Sequence, residues 1–220
     1  MEEPEGLRPL SDSQLEALET AVASYQASLN RDGGAARYLL SRGLGREEAA
    51  TYRLGVVGDP EPGHGHVRGF LAIPYLDPDG RPVSMRFRCI QEHDHRANHH
   101  GKYMSLTDEP SRLYGIESII EAVDEIHVTE GELDRLILKK IGLHAIGVPG
   151  IDAWMPHHRR MLAGFSRVWV WGDPDDAGAK FVGTLTRQLR FARGVKLRLG
   201  DVTETYKEVG AEGLLELVGR

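Results

Sequence analysis

Apolar residues at Leu15, Leu18, Val22, Tyr25 and Leu29 recur every three or four positions behind Ser11-Asp12-Ser13, a pattern that predicts one long capped helix. Gly33-Gly34 reads as its end, and short helices are predicted through Tyr38-Leu39-Leu40 and from Arg46-Glu47-Glu48 to about Leu54-Gly55. The period then changes. FLAIPYLD and PVSMRFRC, on either side of Pro78-Asp79-Gly80, predict two antiparallel strands joined by a hairpin-like turn. The polar stretch QEHDHRANHHGK has no period and predicts a loop, after which Arg112 to Val123 predicts helix. From Asp124 onward, the apolar strands EIHVT, HAIGV, RVWVW and VKLRL alternate with three helical stretches. Parallel neighbours require crossovers, so this alternation predicts a parallel sheet with helices on its faces.

The pattern divides the chain into residues 1–120, helical with antiparallel strands, and residues 121–220, an α/β domain. With 220 residues and 40% hydrophobic content the chain can bury a core, while its apolar runs fall well short of the roughly 20 residues of a membrane span. The acidic start MEEPEGLRP lacks the order of a signal peptide, so a cytoplasmic setting is expected. Cys89 is the single cysteine, which excludes an internal disulfide and any zinc ribbon of paired Cys-x-x-Cys knuckles. A net charge of −6 argues against coating nucleic acid by bulk electrostatics. Charge is uneven, however: Ala177 to Gly200 carries six lysines and arginines and no acid.

In open parallel sheets the functional crevice lies beyond the carboxyl ends of the strands. The first strand of the second half runs into Glu130-Gly131-Glu132, the third into Asp173-Pro174-Asp175-Asp176 and the fourth into Gly200-Asp201. Carboxylates gathered there repel one another unless a cation sits among them, and oxygen-only ligands favour Mg2+ or Mn2+ over zinc. Each motif alone also reads as a turn or helix cap, with Asp176 the expected cap. Arg86 and Arg88, two apart on one strand, share a face suited to phosphate or to a solvated surface. Cys89, His93, His95, His99 and His100 invite a zinc site, but their spacing matches no standard one; a polar mobile loop is expected, and zinc is not.

EGELD at Glu130 to Asp134 and DPDDAGAK at Asp173 to Lys180 resemble the two signature motifs of the Toprim domain. With GVPG at Gly147 to Gly150 and DVTE at Asp201 to Glu204, the series resembles DnaG-type DNA primases, particularly phage and plasmid relatives. AARYLLSRGLGREEAATYRLGVV, GFLAIPYLDPDGRPVSMRFR and GKYMSLTDEPSRLYGI resemble the primase core's opening helices, its strand pair and the motifs of its nucleotide groove. The resemblance implies a Toprim fold, a Rossmann-like parallel sheet flanked by helices, preceded by a mixed α+β primase subdomain. It implies a catalytic core only, without a zinc-binding or helicase-binding module. Glu130, Asp173 and Asp175 would be catalytic and, with Asp201, metal-binding in a two-ion Mg2+ or Mn2+ site. Asp134, Asp176 and Glu204 would be supporting acids, and Arg86, Arg88, Lys102 and Arg112 would contact nucleotide or nucleic acid. The implied activity is nucleotidyl transfer, synthesising RNA primers on single-stranded DNA from nucleoside triphosphates, with a replicative helicase or single-strand-binding protein as partner. The setting would be the host cytoplasm if the chain is phage-encoded. A Toprim metal-dependent nuclease and a non-catalytic nucleic-acid-binding accessory protein are the alternatives.

Overall fold

The computed structural model describes residues 9–106 and 109–220. The acidic start, with Thr107 and Asp108, lies outside the described residues. The chain forms two compact units, one of residues up to Ala35 with Ala50–Pro110, the other of Ala36–Ala49 with Ser111–Arg220. Among the described residues no helix is long and apolar enough to cross a membrane.

In the first unit, α1 (Asp12–Leu29) starts from a capping box in which Ser11 and Gln14 each accept the other's backbone amide. Leu18, Val22, Tyr25 and Leu29 form its buried stripe, as the spacing predicts. The helix stops at Leu29, ahead of Gly33-Gly34, and those glycines open α2 (Gly33–Ser41) instead. The reason is Asp32, whose Oδ1 accepts from the Gly34 and Ala35 amides at 2.8 and 2.9 Å. Most of α2 and of α3 (Arg46–Thr51) belongs to the second unit. In the first, strands β1 (Gly55–Val56), β2 (Leu71–Leu76), β3 (Pro82–Arg88) and β4 (Tyr103–Ser105) form an antiparallel sheet in chain order. β2 and β3 are the hairpin read from the sequence; β1 and β4 are edge strands too short to show a period. Val22 and Tyr25 of α1 pack with Val57, Phe70, Met85 and Phe87 in one core.

In the second unit, α4 (Glu117–Glu121), β5 (Glu125–Thr129), α5 (Glu132–Lys140), β6 (Ala145–Gly147), α6 (Pro156–Leu162), β7 (Arg167–Trp171), α7 (Asp176–Gln188) and β8 (Ala192–Val195) lead to α8 (Val202–Glu216), which is interrupted at Gly210. The sheet is parallel, in the order β6-β5-β7-β8. Ile126, Val128, Val168 and Val170 pack with Phe181 and Leu185 of α7, while on β5 and β7 His127 and Trp171 are buried and joined by an Nε1–H to Nδ1 bond of 3.0 Å.

In this unit α8 follows the last strand without a sequence prediction, and the last strand and the helix from Arg112 depart from theirs. The last strand is Ala192–Val195 rather than VKLRL, because its register with β7 ends where β7 ends, at Trp171 opposite Val195. The predicted helix from Arg112 shrinks to α4: Tyr114 exchanges both backbone bonds with Gly147 at 2.9 Å, adding an antiparallel bridge to the β6 edge. Gly115 then turns with φ +78°, and a Cβ there would lie 2.2 Å from Nε of Arg135.

Arg135 is itself fully buried. Its Nε–H donates to the Ala145 carbonyl at 2.8 Å, its NH2 group meets Ser118 Oγ at 3.1 Å and the Glu117 carboxylate, and its guanidinium stands over the Tyr114 ring. One side chain thus ties α4, α5, β6 and the Leu-Tyr-Gly segment together. Removing it strands the Ala145 carbonyl and Glu117, so Arg135→Ala is expected to lower stability by about 3 kcal/mol or more, measured as a lower urea midpoint at unchanged slope.

Candidate active site

Thr129 of β5 pairs with Trp171 of β7, so Glu130 and the Gly172-Asp173 segment leave adjacent strands at nearly the same level. In the order β6-β5-β7-β8 the connections reverse direction between β5 and β7, and that switch point is where an open parallel sheet offers a crevice. The chain after Asp173 turns at once into α7. Asp175, rather than Asp176, is the cap: its Oδ1 accepts from the Gly178 amide at 2.8 Å. Gly178 is required by close approach, since a Cβ there would lie 2.0 Å from the Asp173 carbonyl oxygen. The glycine of DPDDAGAK is what lets the Asp173 backbone lie against the helix start.

Asp134, in the first turn of α5, accepts from the Thr203 amide at 3.0 Å and its hydroxyl at 2.7 Å. Asp201 caps α8, with Oδ1 on the Glu204 amide at 2.7 Å and Oδ2 on the Arg42 guanidinium at 2.7 Å. Asp176 and Glu204 are exposed at the starts of α7 and α8. The two glutamates of the first motif differ: Glu132 is buried, whereas Glu130 is partly open. Arg42 was not legible as a site residue, because nothing in the sequence links it to an acid 159 positions away.

These acids share one electrostatic field. Desolvation, then the Asp201 charge, pushes Asp134 up to about 7, although it keeps some exposed surface. Desolvation lifts Asp173 to about 6, helped by Glu130, Asp201, Asp175 and Glu204. Glu130 is raised by desolvation and then by Asp175 and Asp134, against a backbone hydrogen bond from Asp173. Its Oε2 is buried without a hydrogen-bond partner among the described residues. An orphaned carboxylate oxygen among acids that retain protons fits a site for a divalent cation.

The candidate basic residues Arg86, Arg88 and Lys102 belong to the first unit and Arg112 to the second. Arg86 and Arg88 lie on one face of β3, their guanidinium carbons 5.0 and 4.8 Å from the Tyr103 ring centre, and Arg88 also donates to the Tyr103 hydroxyl. Lys102 is exposed at the entry to β4, and Arg112 is partly buried beside the Leu-Tyr-Gly segment. The loop between β3 and β4 corrects the expectation that zinc has no place in this chain. Cys89, His93, His95 and His100 each bring one ligand atom into a group whose members all lie within 4.8 Å of one another. The linear spacing hid this because a turn built on Asp94, with His99 at φ +56°, folds the loop back on itself.

No family model matches the sequence. The Gene 57 protein of Mycobacterium phage D29 is 30% identical over 156 residues, which cover 69% of this chain and 99% of that protein. The chain belongs to the family of this Gene 57 protein. The fold of this family member is that of primase catalytic domains, a mixed α/β fold with a parallel sheet flanked by helices. The Aquifex aeolicus primase, solved with its zinc-binding and RNA polymerase domains, has a TM-score of 0.79 at 22% identity; the match covers 98% of this chain and 63% of that one. The RNA polymerase domain of Mycobacterium tuberculosis primase DnaG, solved with a double-stranded DNA oligomer bearing a 6-nucleotide overhang, gives 0.77 at 18% identity over 96% of this chain and 81% of that domain. A DnaG primase catalytic domain bound to single-stranded DNA gives 0.69 at 18% identity over 93% and 77%.

The raised acids give this Gene 57 family member a testable pH signature. Asp134 and Asp173 ordinarily titrate at 3.8 and are lifted to about 7 and about 6, so the folded chain holds protons that the unfolded chain releases. Their contribution to stability is complete below pH 4 and is lost as pH rises to about 7. With divalent metal chelated, Asp134→Asn keeps an acceptor for Thr203 but carries no charge; its melting temperature is expected to exceed the wild type's by a few degrees at pH 8 and to match it at pH 4, as read by calorimetry.

Proposed function

We propose that this chain is a DNA primase, a nucleotidyltransferase that synthesises short RNA primers on single-stranded DNA. The observation that carries the reading is the meeting of Glu130 and Asp173 at the switch point of a sheet whose fold is that of primase catalytic domains. The acid motifs support assigning this sheet to the Toprim class. Likeness to domains solved with DNA supports single-stranded DNA as template, and nucleoside triphosphates follow as the second substrate. A replicative helicase or single-strand-binding protein belongs to the same reading as partner.

Glu130, Asp173 and Asp175 are proposed to hold Mg2+ or Mn2+, with Asp201, already bonded to Arg42 and the Glu204 amide, at the margin of that site. When bound, such ions activate a 3'-hydroxyl and stabilise the charge on the transferring phosphoryl group and the departing pyrophosphate. The protein's part is to position and to tune. Asp175 is fixed by its cap bond to Gly178, and Asp134 is anchored by Thr203, where at neutral pH it holds a proton for part of the time. Protons would compete with a cation for Asp173, lifted to about 6, and for Glu130, raised by burial, so metal affinity is expected to rise with pH. Arg86 and Arg88, braced on Tyr103, and Lys102 and Arg112 are proposed to bind template or nucleotide phosphates.

The test is incubation with single-stranded DNA, labelled ribonucleotides and Mg2+ or Mn2+. New short RNA over an intact template is the expected result, falling to background in Asp173→Asn and Glu130→Gln. Template degradation without synthesis would assign the same acids to a nuclease and overturn the proposal, as would full activity in both variants.

A further inference from the structure

We propose that Cys89, His93, His95 and His100 form a closed, four-ligand site for a tetrahedral transition-metal ion, Zn2+ by the chemistry of its donors, which staples the β3–β4 loop to the end of β3. The loop leaves β3 at Cys89 and returns to β4 after Lys102, and the Cys89 amide donates to the Lys102 carbonyl at 2.9 Å across its neck. Asp94 accepts from the Arg96 and Ala97 amides, and the His100 amide donates to the His95 carbonyl at 3.1 Å. The thiol is buried in the core of the first unit, and the His100 ring packs edge-on to Phe70.

Two observations separate a metal site from a polar loop. The first is spacing. Zinc bonds of about 2.0 Å to nitrogen and about 2.3 Å to sulfur, arranged tetrahedrally, put neighbouring ligand atoms about 3.3–3.6 Å apart. Cys89 Sγ and His93 Nε2 stand at that spacing, 3.6 Å apart, and His93 Nε2 and His100 Nε2, at 3.1 Å, lie just inside it. All four ligand atoms lie within 4.8 Å of one another, so that small side-chain shifts would close them on one ion. The second is proton placement. His100 Nδ1 lies 3.0 Å from the Gly101 carbonyl, which can only accept, so Nδ1 carries the hydrogen and Nε2 turns a lone pair on its neighbours. His93 Nε2 then faces both that lone pair and the Cys89 sulfur, with one hydrogen at most to share between them. His95 Nδ1 is buried with no hydrogen-bond partner among the described residues. A single cation satisfies all four donors together.

Donor type decides the class of ion. Three imidazoles and a thiolate are borderline-to-soft ligands that favour zinc over magnesium or calcium, and four protein ligands leave no open position, which makes the site structural. Its consequence is local: the ion fixes the loop that carries Lys102 and leads into Tyr103, the residue on which Arg86 and Arg88 are braced. This inference does not rest on the primase reading, since it involves none of the acids of the second unit.

The experiment is metal analysis of tag-free protein after gel filtration, followed by replacement with Co2+. One zinc per chain is expected, and the cobalt form should show the intense visible bands of tetrahedral coordination with a thiolate-to-cobalt charge-transfer band in the near ultraviolet. Cys89→Ser should abolish the charge-transfer band, and His93→Asn and His95→Asn should each weaken zinc binding by more than the about 10–100-fold that outer-shell partners carry, with circular dichroism verifying that each variant is folded. Asp173→Asn should retain the zinc. Wild-type protein that takes up no zinc identifies the cluster as a hydrogen-bonded one and overturns the proposal. Zinc retained equally by the cysteine and histidine variants, or lost in Asp173→Asn, places the ion elsewhere and overturns it as well.

Discussion

Repulsion among carboxylates at one edge of the parallel sheet is the constraint around which the second unit is arranged. Glu130 and Asp173 are carried there by adjacent strands in fixed register, and α5, α7 and α8 start at the same edge with Asp134, Asp175 and Asp201. The fold contains this charge in two ways. Asp175 and Asp201 are satisfied by amides at helix starts, where the dipole is positive, and Asp201 also by Arg42. Burial outweighs the Thr203 bonds at Asp134, lifts Asp173, and raises Glu130 above its usual range, so these acids bind protons more tightly than free carboxyls do. Acids kept protonable in this way oppose folding at neutral pH, a cost that the packing around Arg135 and the sheet core must offset.

Backbone geometry makes the crowding possible. A side chain at position 178 would drive the Asp173 loop off the start of α7, and one at position 115 would strike Arg135. The Leu-Tyr-Gly segment therefore has a packing role as an added edge on β6 and a cover for a buried guanidinium, whatever else it touches. Arg135 and Asp173 lie at different levels of one hierarchy: the first holds the sheet and its helices together, and the second uses the edge that results.

Much of this was legible because it is local. The first three strands from Asp124 onward with the helices between them, the hairpin about Pro78-Asp79-Gly80 and the stripe of α1 each follow from neighbours a few positions apart, whereas the last strand was placed too late and α8 was not read at all. Position at a strand end is equally local, which is why Glu130 and Asp173 could be read as candidates. What escaped was set by distant or geometric partners. The strand order, the pairing of Arg42 with Asp201 and the two-residue β1 depend on residues far apart in the chain. Asp175 rather than Asp176 became the cap because Gly178 lets the preceding loop sit close. The histidine loop was misread because metal motifs are recognised by linear spacing, whereas its four donors are gathered by a turn that Asp94 and the left-handed His99 create.

Ligand chemistry separates the two proposed metal centres. The acid edge offers oxygen alone and leaves the buried Glu130 Oε2 without a hydrogen-bond partner among the described residues, a setting that would suit hard, exchangeable ions. The β3–β4 loop offers nitrogen and sulfur, and its four donors would complete a tetrahedral shell. Zinc outcompetes magnesium at most sites by affinity alone, so an open carboxylate centre is exposed to capture by the wrong ion. A closed centre in the same chain takes its own ion with softer donors and leaves none of its positions to substrate. On the two proposals, coordination number would divide the roles: an acid site with positions left for water and phosphate would be suited to chemistry, and a loop site with four protein donors would be suited to holding structure.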